Sequence, residues 1–247
     1  PLFLLDDLTD PLPKVGARVE LAGDEGRHAA VVRRIGPGEM IMIGNGRGRG
    51  VRGVVVEVRG PELVVEVVNH LASAEEPRRF VAAQALVKGD RSELAVEMMT
   101  EMGIDEIVPW QASRSIVRWS EERAARSLAK WRSTAREATK QSRRLTVPQV
   151  SEPLTTAQLA KRAASAELAL VLHEEAKDGI GEVDLPAAGT VLIIIGPEGG
   201  ISADELGELA RAGARPVSIS DAVLRTSTAG VVALAAVKLR REPVGAP

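Results

Sequence analysis

The spacing of hydrophobic positions changes near residue 74. Before it, apolar residues fall in short runs: Arg18-Val-Glu-Leu, Glu39-Met-Ile-Met-Ile, Val51 to Val58 and Leu63 to Val68. Glycine or proline punctuates these runs, which predicts the short strands of a small barrel or sandwich. Gly44-Asn-Gly-Arg-Gly-Arg-Gly50 falls between two of them and predicts a hairpin loop with glycines at positive φ. Arg47 and Arg49 in that loop are candidates to touch phosphate. His28 to Arg34 predicts one helical turn or more.

A polar linker, Ser73-Ala-Glu-Glu-Pro77, precedes a different pattern. Phe80 to Val87, Glu106 to Trp110, Leu168 to Leu172, Val191 to Ile195 and 216–219 read as strands. Two of these, Leu168-Ala-Leu-Val-Leu172 and Val191-Leu-Ile-Ile-Ile195, are continuously apolar, as in parallel strands covered on both faces. Helices are predicted over Asp90 to Met102, Glu121 to Arg143, Ser202 to Ala212 and Thr228 to Arg241, the first with Asp90 as its cap. Strands alternating with helices predict an open α/β sheet. The expected division is 1–74 and 75–247.

Charge refines this picture. The 247 residues carry 32 Lys plus Arg against 34 Asp plus Glu, a net charge of −2. Yet Gln111 to Leu145 holds ten basic residues and three acidic ones, so that stretch is +7 and the remainder −9. A basic stretch on an acidic chain predicts a directed polyanion surface; a solvated helix face is the plainer reading. Aromatics are 2 %, which argues against reading RNA by stacked bases. Cysteine is absent, and His28, His70 and His173 lie far apart, so neither a disulfide nor a metal site is expected. The start, Pro1-Leu-Phe-Leu-Leu-Asp-Asp, is too short and acidic for a signal peptide, and no apolar run approaches the ~20 residues of a membrane span. A cytoplasmic protein is expected.

Two stretches carry candidate chemistry. In Val191 to Glu205 a buried strand ends at Gly196, turns through Pro197, Glu198, Gly199 and Gly200, and enters a helix with a Ser202-x-x-Glu205 capping box. Ligands of open α/β sheets sit beyond such strand ends, and paired glycines admit a ligand close to the backbone. The loop matches neither a dinucleotide nor a P-loop fingerprint. In Pro216 to Gly230, Arg225, Thr226, Ser227 and Thr228 gather at a helix start, a setting suited to an anion. Simple N-capping by Thr226 or Ser227 explains them equally well.

Gly196-Pro-Glu-Gly-Gly-Ile-Ser-x-x-Glu205, followed by Val223-Leu-Arg-Thr-x-Thr-Ala229, resembles the SPOUT (α/β-knot) methyltransferases, specifically the bacterial RsmE family of 16S rRNA (uracil-N3)-methyltransferases. His28-x-x-x-Val-x-Arg34-x-Gly-Pro-Gly38 is similar to that family's PUA-like N-terminal domain. Lys88-Gly-Asp-Arg, Glu101-Met-Gly103, Arg114-Ser115, Glu137-Ala-x-x-Gln-Ser-x-Arg144-x-x-x-Pro148 and His173-Glu174 are similar to its central motifs. The ordered set spans nearly the whole chain. It departs from the family at Ser220 and Arg143, which stand for glycines, at Ala222 for an arginine and at Ser227 for a glutamate.

The resemblance implies a PUA-like barrel over 1–74 and a SPOUT domain with a deep trefoil knot over 75–247. It implies S-adenosyl-L-methionine held by Leu172, His173, Gly196, Glu198, Gly199, Gly200, Ile219, Ser220, Leu224 and Thr228. Arg225 is the candidate for stabilising the substrate anion or orienting it, and the base is unassigned. The substrate is 16S rRNA or the assembled 30S subunit, with Arg34, Arg114, Arg132, Arg136, Lys140, Arg143 and Arg144 on its phosphates. A homodimer is implied, with the last helix as interface; no membrane and no metal are involved. Another SPOUT RNA methyltransferase, or a non-catalytic RNA-binding assembly factor, remain alternative readings.

Overall fold

The computed structural model describes residues 1–240, and only the backbone of Glu121 and Arg123. The chain divides into two compact units, Pro1–Glu75 with Arg136–Val147, and Glu76–Ala135 with residues from Pro148 onward. The first is therefore discontinuous, a difference from the division at 74 read along the sequence.

The first unit is built on a five-stranded sheet of β1 (Leu2–Leu4), β2 (Arg18–Leu21), β3 (Met40–Gly44), β4 (Arg49–Arg59) and β5 (Glu62–Ala72), in the order β1-β3-β4-β5-β2. β1 runs parallel to β3 and the other pairs are antiparallel. Alternate residues Val19 and Leu21 of β2, Ile41 and Ile43 of β3, and Leu63, Val65 and Val67 of β5 form one core with Phe3. That is the period-2 consequence of a sheet with one buried face. The β3–β4 loop is the predicted hairpin: Gly46 and Gly48 sit at φ 70° and 90°, and Asn45 Oδ1 accepts from the amides of Arg47 and Arg49. Arg47 donates to the carbonyls of Asp6 and Leu8, and Arg49 pairs with Asp10, so both have partners within the unit. The turn predicted at His28 is a short helix α1 (Gly23–Arg27) running into a π-helical turn (His28–Val32). Leu145, from the later segment, packs on Leu2 and Leu4.

The second unit carries six strands, all parallel: β6 (Arg78–Ala85), β7 (Glu106–Trp110), β8 (Gln149–Val150), β9 (Leu168–Leu172), β10 (Gly189–Ile195) and β11 (Arg215–Val217), in the order β11-β9-β10-β6-β7-β8. Helices α2 (Arg91–Glu101), α3 (Glu121–Gln141), α4 (Thr156–Ala164), α5 (Ala203–Arg211) and α6 (Thr226–Lys238) complete the chain. Along β10, Val191, Ile193 and Ile195 enter one core, and Leu192 and Ile194 the other. Two covered faces explain the unbroken apolar run, each buried isoleucine contributing about 1.5–3 kcal/mol over an exposed one.

The helix starts correct two expectations. Asp90 occupies the N-cap position of α2, but its side chain makes no capping bond. Helix α6 begins at Thr226, not Thr228, because Arg225 is its extended N-cap residue at ψ 145°. The last residue predicted for that helix, Arg241, lies outside the described residues. Helix α4 and strands β1 and β8 are additions to the predicted elements; α4 is announced by a Thr155–Gln158 capping box.

Candidate functional site

The carboxyl ends of β9, β10 and β11 open on one cavity of about 370 Å³. From β9 it receives Leu172, His173 and Glu174; from β10 Ile195, Gly196, Pro197, Glu198, Gly200 and Ile201; from the segment after β11 Ile219, Ser220, Ala222, Val223, Leu224 and Arg225. Thr226 and Ala229 of α6 and Arg91 of α2 complete the wall. This is where a ligand of an open parallel sheet sits.

The β10–α5 loop turns tightly. The Gly200 amide donates to the Pro197 carbonyl at 2.9 Å, and Gly200 lies at φ 73°, a region that favours glycine. A Cβ on Gly196 would stand 2.7 Å from Ile201 Cγ1, so the strand end admits no side chain without displacement. Behind the loop, Thr226 Oγ1 donates to the Gly196 carbonyl at 2.7 Å and accepts from Gln84 Nε2 at 3.0 Å. Thr226 thus fastens α6 to β10 instead of capping its own helix.

Glu205 anchors the other side of this loop. Its carboxylate accepts from the Ser113 amide and hydroxyl, each at 2.7 Å, from Thr156 Oγ1 at 2.9 Å and from Ser202 Oγ at 2.9 Å. Burial pushes this carboxyl up, but the donors of Ser113, Thr156 and Ser202 outweigh it and hold it below the usual carboxylate range. The clamp brings the 111–115 segment against the loop, where Arg114 Nη1 donates to the Gly199 carbonyl at 3.3 Å.

Of the residues expected to cradle a ligand, Leu172, His173, Gly196, Glu198, Gly200, Ile219, Ser220 and Leu224 share the cavity wall with Arg225. Gly199 and Thr228 do not. Gly199 abuts Arg114, with an added Cβ at 3.3 Å from its Cβ and carbonyl oxygen. Thr228 falls inside α6, its amide donating to the Arg225 carbonyl. Ser220 does not take positive φ, so serine is tolerated there. Ser227 is buried within the first turn of α6 and away from the wall. Arg91, Glu174, Ala222, Val223 and Thr226 join the site beyond the residues expected from the sequence; Arg91 and Glu174 stand in motifs already noted, Lys88-Gly-Asp-Arg and His173-Glu174.

The residues expected on RNA phosphates are dispersed. Arg132 donates to the Val150 carbonyl and to Glu152. Arg136 pairs with Asp6 at 2.9 Å and reaches the Leu4 carbonyl. Lys140 has only 11 % of its side chain exposed and lies 2.8 Å from both Glu25 and Glu137; burial lowers its pKa, and the two carboxylates more than restore it. Each of these three cations thus has a partner within the chain. Arg34 and Arg143 are exposed and take left-handed backbone, at φ 53° and 57°. Arg144 is half-buried. Among the described residues no helix is long and apolar enough to cross a membrane.

A family model described as an RNA methyltransferase domain matches residues 74–238. Ribosomal RNA small subunit methyltransferase E of Mycobacterium tuberculosis is 43% identical over 92% of this chain and 88% of its own length. The Bacillus subtilis protein of the same name is 30% identical over 90% of each. A solved structure of ribosomal RNA small subunit methyltransferase E from Neisseria gonorrhoeae, bound to S-adenosyl methionine, aligns with TM-score 0.83 at 26% identity, over 96% of both chains. The chain therefore belongs to the RNA methyltransferase family, alongside the proteins named ribosomal RNA small subunit methyltransferase E.

Proposed function

We propose that this chain methylates N3 of a uridine in 16S rRNA, with S-adenosylmethionine as donor. The cavity beyond β9, β10 and β11 carries the reading. Its volume lies within the ~300–1,000 Å³ of small-ligand sites, and the donor set fits. Glycine backbone at 196 and 200 allows an adenine edge to meet amides and carbonyls, Leu172, Ile219 and Leu224 offer apolar contact, and Glu174 and Glu198 suit the donor's positive charge. When bound, S-adenosylmethionine supplies a methyl carbon on a sulfonium; the new bond uses the N3 lone pair, the C–S pair stays on sulfur, and the N3 proton leaves to solvent.

The chain's own task is to make N3 nucleophilic. An imide N–H is a weak acid, and its anion spreads over two carbonyl oxygens. Arg225, at the end of a helix whose positive pole faces the cavity, stabilises that anion and orients the base. Thr226 holds the floor by fixing the Gly196 carbonyl. Ser227, buried and off the wall, takes no part as a base.

The wider reading is a PUA-like barrel in the first unit and a knotted C-terminal loop in the second. It includes a cytoplasmic homodimer joined through α6 and RNA phosphates on Arg34, Arg114, Arg143 and Arg144. Mass mapping of 16S rRNA from a strain lacking the gene tests it. One 3-methyluridine is expected to disappear and to return on complementation. Loss of a ribose or other base methyl instead would overturn the uracil assignment. Calorimetry with S-adenosylmethionine tests catalysis against a binding-only role, which would give no heat.

A further inference from the structure

Helices α2 and α6 pack against one another. An added Cβ on Gly230, in the second turn of α6, would stand 2.8 Å from the Sδ of Met99, in the last turn of α2, so the contact is close. At the far end Lys238 Nζ of α6 donates to the Gly103 carbonyl just past α2, at 2.6 Å. At the near end Arg91, the first residue of α2, and Arg225, the N-cap residue of α6, line the same cavity. The N-terminal ends of both helices thus reach this cavity, and an anion there suits two positive helix poles. The two guanidiniums add full charges to that wall. The carboxylates come from other elements: Glu174 after β9, beside His173, and Glu198 after β10. The cavity wall thus carries both guanidiniums and carboxylates. A sulfonium suits the carboxylates, and an anion suits the guanidiniums.

We propose that Arg91 is a second substrate-binding guanidinium that, with Arg225, holds the deprotonated target base and selects an imide. This rests on the cavity being a uracil-N3 methylation site. Uracil presents O2 and O4 on either side of N3. A guanidinium donor on each carbonyl leaves the N3 lone pair free for the methyl carbon. The two charges lower the imide pKa, so the N3 proton passes to hydroxide or buffer with no side chain required to take it. Cytosine has no N3–H and presents an amino donor in place of O4; two donors then face each other, which is the kind of mismatch that rejects a wrong substrate.

The test uses the full-length protein, undermethylated 30S subunits and the variants R91Q and R91K. For R91Q, kcat at neutral pH is expected to fall about 100-fold, and the pH at which log kcat levels off to rise by one unit or more. R91K, which keeps the charge, should recover most of that shift. His173, Glu174 and Glu198 also line the cavity and are common to all three proteins. Calorimetric Kd values for S-adenosylmethionine should agree within a few-fold, and thermal melts report folding. An unmoved pH profile in R91Q would overturn the proposal even with a lower kcat. So would a large loss of S-adenosylmethionine affinity, which would assign Arg91 to the donor's carboxylate. If the wild type makes no 3-methyluridine, the underlying assignment of the cavity fails; if it does and R91Q matches it, Arg91 alone is wrong.

Discussion

The cavity and the basic stretch at 111–145 use charge in opposite ways. In the cavity, Arg91, Arg225, Glu174 and Glu198 line open space at the carboxyl ends of strands. Along α3, Lys130, Arg132, Arg136 and Lys140 each reach a carboxylate, on Glu93, Glu152, Asp6 and Glu25. A +7 count along the chain is therefore not +7 available to a polyanion. Formal charge along a helix is partly spent on carboxylates brought in by folding, whereas the charges at the strand ends face open space.

The strongest test of this contrast removes one cation from each region. Arg225→Ala should lower kcat/KM for 30S methylation by about 10²–10³-fold, roughly 2.7–4 kcal/mol of transition-state stabilisation, with the melting temperature unchanged. Lys140→Met should do the reverse. It leaves Glu25 without its partner at 16 % side-chain exposure, for a loss of about 2–3 kcal/mol in urea unfolding. The salt dependence of RNA binding should hold. A salt slope reduced by about one would return Lys140 to the RNA-binding set.

A third, smaller effect concerns the clamp behind the cavity. Glu205→Gln should cost about 1–2 kcal/mol through weakened bonds to Ser113, Thr156 and Ser202. Because the folded pKa of Glu205 is depressed, its contribution is present above the unfolded value of about 4.3 and is lost as pH falls through the folded one. Acid unfolding of the wild type should therefore show a limb that the variant lacks. The smallest effect is expected at Arg143, at φ 57°. Arg143→Gly should stabilise by up to about 1 kcal/mol by relieving left-handed backbone, while weakening RNA binding by one phosphate contact. A loss of stability would show that the arginine side chain has a structural role.

The same contrast explains what is legible in the sequence. The strands β7 and β9 match the expected residues, and β10 adds only Gly189 and Thr190. Their signal is local: apolar runs between polar breaks. The cavity loop is legible because its turn, glycines and capping box are contiguous. The fate of the basic residues is not, because Arg136 and Asp6 stand 130 residues apart, and Lys140 and Glu25 stand 115 apart. Capping by Thr226 fails as an expectation for a similar reason. Its partners, Gly196 and Gln84, lie 30 and 142 residues away. Arg91 reaches the cavity wall only because β6 is followed by α2 at the same edge as the ends of β9, β10 and β11.

The interrupted first unit also sets an order of events during synthesis. Residues 1–75 leave the ribosome first, but Arg136–Val147 belong to the same unit. At the usual ~5–20 residues per second, the 60 intervening residues delay the missing segment by about 3–12 seconds. Through that interval Glu25 waits without Lys140, and Leu2 and Leu4 without Leu145. The five strands can pair within that interval, but the contacts of Leu2, Leu4 and Glu25 with the later segment close only at a time set by translation rate.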